Sequence, residues 1–378
     1  MIYMDNAATS WPKPPEVVES MTECLLKFCA NPGRSGHDMA LRSENMVYGC
    51  REKICELFGV ENPENVIFTQ NATHALNIVI KGILSREDHV IVTSMEHNSV
   101  MRPLASVGAS YDMALANEYG YVDDKDIEKL IKPNTALIIC TLSSNVCGSV
   151  QPFEKIAKIA KKHKIPFLLD ASQGAGVIEV NMKKFGIDFL AAPGHKSLLG
   201  PTGTGILCIN SDKKLRPFTE GGTGSLSKLI MQPDYLPDRF ESGTLNVVGI
   251  AGLYAAIKCV LQKGCNEILY SESKICNYIA DNLSSIPGIH LKGYLRSGRR
   301  TPVLSFTIDN VDSLIASSIL NIEYGIACRA GFHCAYNAHC TLSTQKTGTI
   351  RLSPGMFTTY QEADKVLFAV SKIALQKI

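Results

Sequence analysis

The sequence predicts an α/β protein: a large domain on a mainly parallel sheet, followed by a smaller α+β domain. Three observations carry this prediction. From residue 66 onward, short apolar runs alternate with helix-length amphipathic stretches, the rhythm of βαβ units. The runs are apolar throughout, as strands are when helices cover both faces of a sheet. After Ile209 that rhythm stops and a less regular set of helices and strands follows. The large domain is placed at 15–250 and the small one at 251–378, with 1–14 packed on the small domain. A chain of 378 residues is long enough for two such cores.

Taken in order, 1–14 reads as irregular, with Pro12, Pro14 and Pro15 close together. A helix is predicted over 16–28 and a loop over 31–37. A second helix ends near 58, its apolar side formed by Met46, Val47, Ile54, Leu57 and Phe58. Strands follow at 66–69, 90–93, 109–115, 136–141 and 167–170, and helices at 73–84, 99–107, 124–131 and 153–163. Two more apolar runs, 189–192 and 206–209, flank a Gly- and Pro-rich turn. Residues 219–246 read as an extended excursion or a small hairpin, and a long helix spans 247–262. Beyond it, helices are predicted near 267–283, 311–320 and 361–375, and strands near 303–308 and 349–352.

Charge is nearly balanced, with 38 Lys and Arg against 36 Asp and Glu, and no basic tract stands out. That argues against nucleic acid or an anionic membrane surface as a partner. The first residues lack the charged and apolar regions of a signal peptide, and no apolar run reaches the ~18 residues of a membrane span. A cytoplasmic chain is expected. Its 13 cysteines follow no disulfide-scaffold spacing, and most, such as Cys24, Cys50, Cys55, Cys140, Cys208, Cys259 and Cys276, are expected as reduced thiols packed like small apolar residues.

Chemistry concentrates at the turn between the runs at 189–192 and 206–209. Lys196 lies there between two pieces of core, where low-dielectric surroundings weaken its preference for the charged form. A neutral amine can form a Schiff base with an aldehyde. Upstream, the strand 167–170 ends on Asp170. A Schiff-base lysine and a carboxylate for a pyridinium nitrogen are what pyridoxal phosphate requires. The glycines near Lys196 fit neither a dinucleotide fingerprint nor a phosphate loop.

Ligands of an open parallel sheet sit beyond the carboxyl ends of its strands. The residues after the strands form a coherent set. Thr73 opens a helix that suits a phosphate, although an ordinary N-cap needs the same residue types. His97 could stack on a flat ring, Asn145 is a neutral donor, and Gln173 follows Asp170 by a turn. His195 and Lys196 complete the edge. Arg351, on the strand 349–352, alternates with apolar neighbours and suits a carboxylate. The stretch from Arg239 to Asn246 is assigned to the same site.

The tract from Cys328 to Cys340 holds three cysteines and two histidines. Its spacing departs from the usual Cys-x2–4-Cys zinc pattern. A nucleophilic thiol is the second reading, with Arg329 and His333 favouring a thiolate. Buried structural thiols are the third.

These motifs together resemble the cysteine desulfurases of the pyridoxal-phosphate-dependent class V aminotransferase-like superfamily. The closest likeness is to the SUF-type group, which includes selenocysteine lyases and serves iron–sulfur cluster assembly. The likeness runs from Tyr3-Met4-Asp5-Asn6-Ala7-Ala8 to the last helix. It rests on Gly194-His195-Lys196, Leu169-Asp170-Ala171-Ser172-Gln173, Glu96-His97, Phe240-Glu241-Ser242-Gly243-Thr244 and Arg329-x-Gly331-x-His333-Cys334-Ala335.

The resemblance implies a homodimer with the fold-type I architecture, L-cysteine or L-selenocysteine as substrate, and a protein that accepts the sulfur. It implies that Lys196 carries the cofactor, Asp170 pairs with the pyridinium nitrogen and Gln173 bonds the phenolic oxygen. His97 would stack on the ring, Asn145 would lie near its O3′ side, and Thr73 and His195 would hold the phosphate with Thr244 of the other subunit. Arg351 would bind the substrate carboxylate, Arg329 and His37 would line the mouth, and Cys334 would become the persulfide. Pro193, Phe332 and the Asn71-Ala72-Thr73 turn depart from the family pattern, and Cys340 has no family role. The rival readings are a selenocysteine β-lyase, a transaminase or kynureninase-type enzyme, and a non-catalytic scaffold binding pyridoxal phosphate or metal.

Overall fold

The computed structural model describes residues 1–33 and 36–375. Arg34 and Ser35 of the predicted loop at 31–37 lie outside the described residues. The chain opens with β1 (Ile2–Tyr3), α1 (Pro15–Lys27) and α2 (Asp38–Phe58). The alternation expected from residue 66 is then present: β2 (Val66–Thr69), α3 (Ala72–Ile83), β3 (His89–Thr93), α4 (Asn98–Val107), β4 (Ser110–Ala114), α5 (Asp124–Lys129), β5 (Thr135–Thr141), α6 (Phe153–Lys162) and β6 (Phe167–Asp170). A short α7 (Met182–Phe185) precedes β7 (Phe189–Pro193) and β8 (Gly205–Ile209).

These strands form a seven-stranded sheet in the order β2-β8-β7-β6-β5-β3-β4. Only β8 runs antiparallel to its neighbours, because a tight turn rather than a helix joins it to β7. Alternate residues of each strand face different helical layers. On β5, Leu137 and Ile139 pack into one apolar cluster, and Ile138 and Cys140 into the other. All four are fully buried, hence the unbroken apolar runs in the sequence.

The long α8 (Val247–Lys263) turns at Gly264 into α9 (Cys265–Leu283). Then come β9 (Ile289–Lys292), β10 (Leu304–Ile308), α10 (Ser313–Tyr324), β11 (Ile326–Ala327), β12 (Arg329–Gly331), α11 (Tyr336–Thr341), β13 (Thr349–Leu352) and α12 (Tyr360–Leu375). A second sheet, β12-β13-β10-β9, packs with α9, α10 and α12 around a separate apolar core.

Two expectations are corrected. The N-terminus is not wholly irregular: β1 pairs in parallel with β11, and Ile2 and Met4 enter the small core. Two residues are too few to show a period in the sequence. The excursion at 219–246 contains no strand, so the hairpin alternative does not form. No single helix among the described residues is long and apolar enough to cross a membrane.

Candidate active site

An open pocket lies at the carboxyl ends of β2, β3, β5, β6 and β7. Thr73, His97, Asn145, Asp170, Gln173, His195 and Lys196 all line it. The topology thus brings together residues spread over more than a hundred positions. The Lys196 turn is built for close approach. A Cβ on Gly194 would stand 2.1 Å from Thr204 Oγ1, and one on Gly205 would stand 2.6 Å from the Asn71 backbone.

Burial pushes the Lys196 amine down to about 8, with Arg351 and Arg329 adding to the effect and Asp170 and Asp5 opposing it. A minor neutral fraction, far larger than for an ordinary lysine, is therefore available near neutral pH. Asp170 is held as an acceptor by the Ser172 N–H at 3.0 Å and the Ser172 hydroxyl at 2.5 Å. His97 caps α4, its Nδ1 accepting from the Ser99 N–H at 3.0 Å, which leaves the ring proton on Nε2. Burial pushes His97 down to about 4, so a neutral imidazole faces the pocket. Ser99 Oγ also lies 2.8 Å from Thr73 Oγ1, linking two residues singled out separately in the sequence.

Pyridoxal phosphate fits this donor set. Asp170 offers a carboxylate, and α3 opens at the pocket edge with Thr73. His195 Nδ1 is buried without a partner, and burial pushes the ring down to about 4. His97 supplies a neutral ring.

The tract from Cys328 to Cys340 departs from its expected chemistry at His333. His333 is 5% exposed, and its Nε2 lies 2.9 Å from Thr349 Oγ1. Thr349 Oγ1 donates to Ser305 Oγ at 3.2 Å, and Ser305 Oγ donates to Val146 O at 2.6 Å. A carbonyl can only accept, so the chain has one direction and His333 donates through Nε2. Burial, then Arg351 and other neighbours, push His333 down to about 2. It is neutral and cannot favour a thiolate by charge, contrary to the expectation from sequence. Arg329, the cation of the tract, lies on β12 directly opposite Arg351 on β13.

His333 and Cys334 are consecutive non-glycine residues in the left-handed region, at φ 48 and 57. Two bonds hold this backbone: Asn145 Nδ2 donates to His333 O at 2.6 Å, and Asn98 N–H donates to Cys334 O at 2.8 Å. Both donors belong to the large domain. Asn145 thus positions the cysteine loop in addition to lining the pocket. Cys334 is exposed, as is Cys340, whereas burial pushes the partly buried Cys328 up to about 11 and removes it as a thiolate.

Arg351 is 2% exposed rather than solvent-facing. Its Nη1 donates to Asn145 O at 3.0 Å and its Nη2 to Asp5 Oδ1 at 2.9 Å. Cys334, Arg329, Arg351, His37 and Thr244 do not line this pocket; the Cys334 loop and Arg351 reach it through their bonds to Asn145. His37 caps α2, accepting from the Ala40 N–H at 3.3 Å. Thr244 is exposed beside Phe68, Thr69 and His74. Its loop is anchored by Glu241, which accepts from Arg51 Nη2 and from the Phe68 N–H, both at 2.6 Å. Sequence reasoning missed Asp5, Asn98, Ser99 and Ser172. Asp5 lay inside a recognised motif, but nothing local linked it to Arg351, 346 positions away.

Comparison with known proteins identifies the family. Residues 2–366 match the aminotransferase class-V family. A probable cysteine desulfurase of Methanothermobacter thermautotrophicus is 35% identical over 99% of this chain and 94% of its own length. One from Borreliella burgdorferi is 33% identical over 99% of this chain and 92% of its own. Among solved structures, the apo cysteine desulfurase of Thermococcus onnurineus matches with a TM-score of 0.91 at 30% identity, covering 99% of this chain and 94% of that one. A cysteine desulfurase of Escherichia coli matches with a TM-score of 0.87 at 26% identity, covering 98% and 94%. The chain belongs to the class-V aminotransferases, a pyridoxal-phosphate-dependent family, on the branch that holds the cysteine desulfurases.

Proposed function

We propose that this chain removes sulfur from L-cysteine, leaving L-alanine and a persulfide on Cys334 that a sulfur-acceptor protein takes up. The observation that carries this is the tethering of the exposed Cys334 loop to Asn145, which lines the pocket that contains Lys196, and to Asn98 beside His97 of the same pocket. A transaminase or kynureninase-type reaction needs no thiol there.

Bound pyridoxal phosphate would supply an electron sink; Lys196 would carry it, Asp170 would face its ring nitrogen, and Thr73 and His195 would hold its phosphate. The protein's own groups do the rest. Arg351 anchors the substrate carboxylate. Lys196 Nζ, partly neutral, takes the proton from the substrate Cα. The Cys334 thiolate forms an S–S bond to the substrate sulfur as the C–S bond breaks; the bonding pair left on Cβ takes up the proton the substrate thiol gives up, and Lys196 Nζ returns its proton to Cα, giving alanine and the persulfide anion.

The run Arg329-x-Gly331-x-His333-Cys334-Ala335 supports placement in the SUF-type group, with sulfur destined for iron–sulfur cluster assembly. The exposure of Thr244 on an anchored loop supports a homodimer in which Thr244 reaches the partner's phosphate site. Thirteen free thiols suit a reducing compartment, and we place the enzyme in the cytoplasm. Purified protein should be yellow, should form alanine from L-cysteine, and should carry a pyridoxyl group on the Lys196 peptide after borohydride. Reduction onto another lysine, or no alanine from a yellow protein, overturns the proposal.

A further inference from the structure

The segment Tyr3-Met4-Asp5-Asn6-Ala7-Ala8 supplies no reacting group, yet it and the residues just after it touch both sides of the site. The Ala7 carbonyl accepts from Gln173 Nε2 at 2.9 Å, and the Ala7 N–H donates to Ser353 Oγ at 2.9 Å. The Ser10 N–H donates to the His195 carbonyl at 3.0 Å, and Ser10 Oγ to that of Lys196 at 2.9 Å. Asp5 sits at the centre of this segment. Its backbone bridges to Ser353, two residues beyond Arg351. Its own carbonyl accepts from the Ala8 N–H at 3.0 Å and the Tyr3 hydroxyl at 3.3 Å.

The side chain of Asp5 completes the surroundings of Arg351. A guanidinium 2% exposed needs a counter-charge, and Asp5 Oδ1 supplies it at 2.9 Å. The opposite terminal nitrogen is held by a carbonyl, Asn145 O, at 3.0 Å. Two acceptors on two terminal nitrogens fix the plane of the guanidinium. The remaining N–H groups then have set directions, as recognition of a carboxylate requires.

We propose that Asp5 is a positioning residue for substrate recognition, clamping the Arg351 guanidinium in the orientation that receives the amino-acid carboxylate. This rests on the reading of Arg351 as the substrate anchor. Asp5 does not touch the reacting atoms, so its loss weakens substrate binding more than the chemical step. It also gives the N-terminal strand a function: β1, paired with β11, delivers Asp5 to its place beside β13.

The test is steady-state kinetics with L-cysteine on the cofactor-loaded enzyme. Asp5→Asn should raise KM about tenfold, the size expected for a lost charge-assisted contact. Its kcat should stay within about twofold, with cofactor absorbance and Tm retained. Asp5→Glu, which keeps the charge, should hold KM nearer the parent. Asp5→Ser is the second neutral variant should Asp5→Asn not fold. Arg351→Gln should raise KM at least as far, and adding Asp5→Asn to it should cost nothing more, because both act through one contact. An unchanged or lowered KM in Asp5→Asn, or multiplicative effects in the double variant, overturns the proposal. An unchanged KM in Arg351→Gln instead removes the anchor reading beneath it.

Discussion

Replacing Asn145 by alanine separates the cysteine loop from the cofactor pocket. The Asn145 side chain donates one 2.6 Å bond to the carbonyl of His333, a residue 5% exposed. Losing a bond to a buried carbonyl leaves it unsatisfied, at a cost of about 1–3 kcal/mol. That bond also restrains two consecutive left-handed residues, each costing roughly 1–2 kcal/mol over an ordinary conformation. Without it, the Asn98 N–H bond to Cys334 O and the packing of Ala335 against Met95 and Val146 remain to hold the loop on the large domain. If the whole cost falls on the competent loop conformation, alanine formation in a single turnover should slow by about 5- to 150-fold. The Asn145 carbonyl that accepts from Arg351 is backbone and survives the change. Cofactor absorbance should therefore persist and KM should move little. Rapid-quench measurement of alanine gives the rate, and hydrogen exchange over 328–341 should quicken in parallel. Loss of the cofactor with no change in loop exchange would refute the reasoning and return Asn145 to a role at the cofactor alone.

Other outcomes follow from the same geometry. Thr244→Ala should weaken cofactor retention, and mixing it with Lys196→Ala should restore partial activity in hybrid dimers; no rescue in demonstrated hybrids would remove Thr244 from the partner's site. Cys334→Ala should stay yellow and lose alanine formation from L-cysteine while keeping much of any activity on L-selenocysteine, whose ionised selenol leaves without a nucleophile; parental turnover of cysteine would exclude the assignment. Burial pushes the Glu272 carboxyl up to about 8 from an ordinary value near 4.5. The folded chain therefore keeps a proton that the unfolded chain has lost between those values, and stability falls as pH rises through that window. Glu272→Gln removes the penalty, so its Tm advantage should be absent at about pH 4, grow to about pH 8 and then level off; a pH-independent difference would show that Glu272 does not titrate in this way.

Much of the large domain was legible because its strands are buried on both faces. The runs 66–69 and 167–170 coincide with β2 and β6, since no solvent-facing residue interrupts them. Strands β11 and β12 were not legible: two and three residues long, they owe their state to partners far away in the chain. The same division holds at the site. Lys196, Asp170 and His97 stand at strand ends, so the topological rule found them. The link from Asp5 to Arg351 and the tether from Asn145 to His333 span 346 and 188 positions, and no local pattern announces either. His333 was misread for a related reason. Its place beside Cys334 suggested a cation, but its burial against Thr349 keeps it neutral.

The central claim is that Cys334 receives the substrate sulfur. Cofactor-loaded protein should be mixed with L-cysteine in the absence of reductant, quenched, and its cysteine peptides measured by mass spectrometry. One added sulfur on the Cys334 peptide, appearing in step with alanine, is the predicted result. Added sulfur appearing first on Cys340 or Cys328, or alanine formed with Cys334 unmodified, would contradict it.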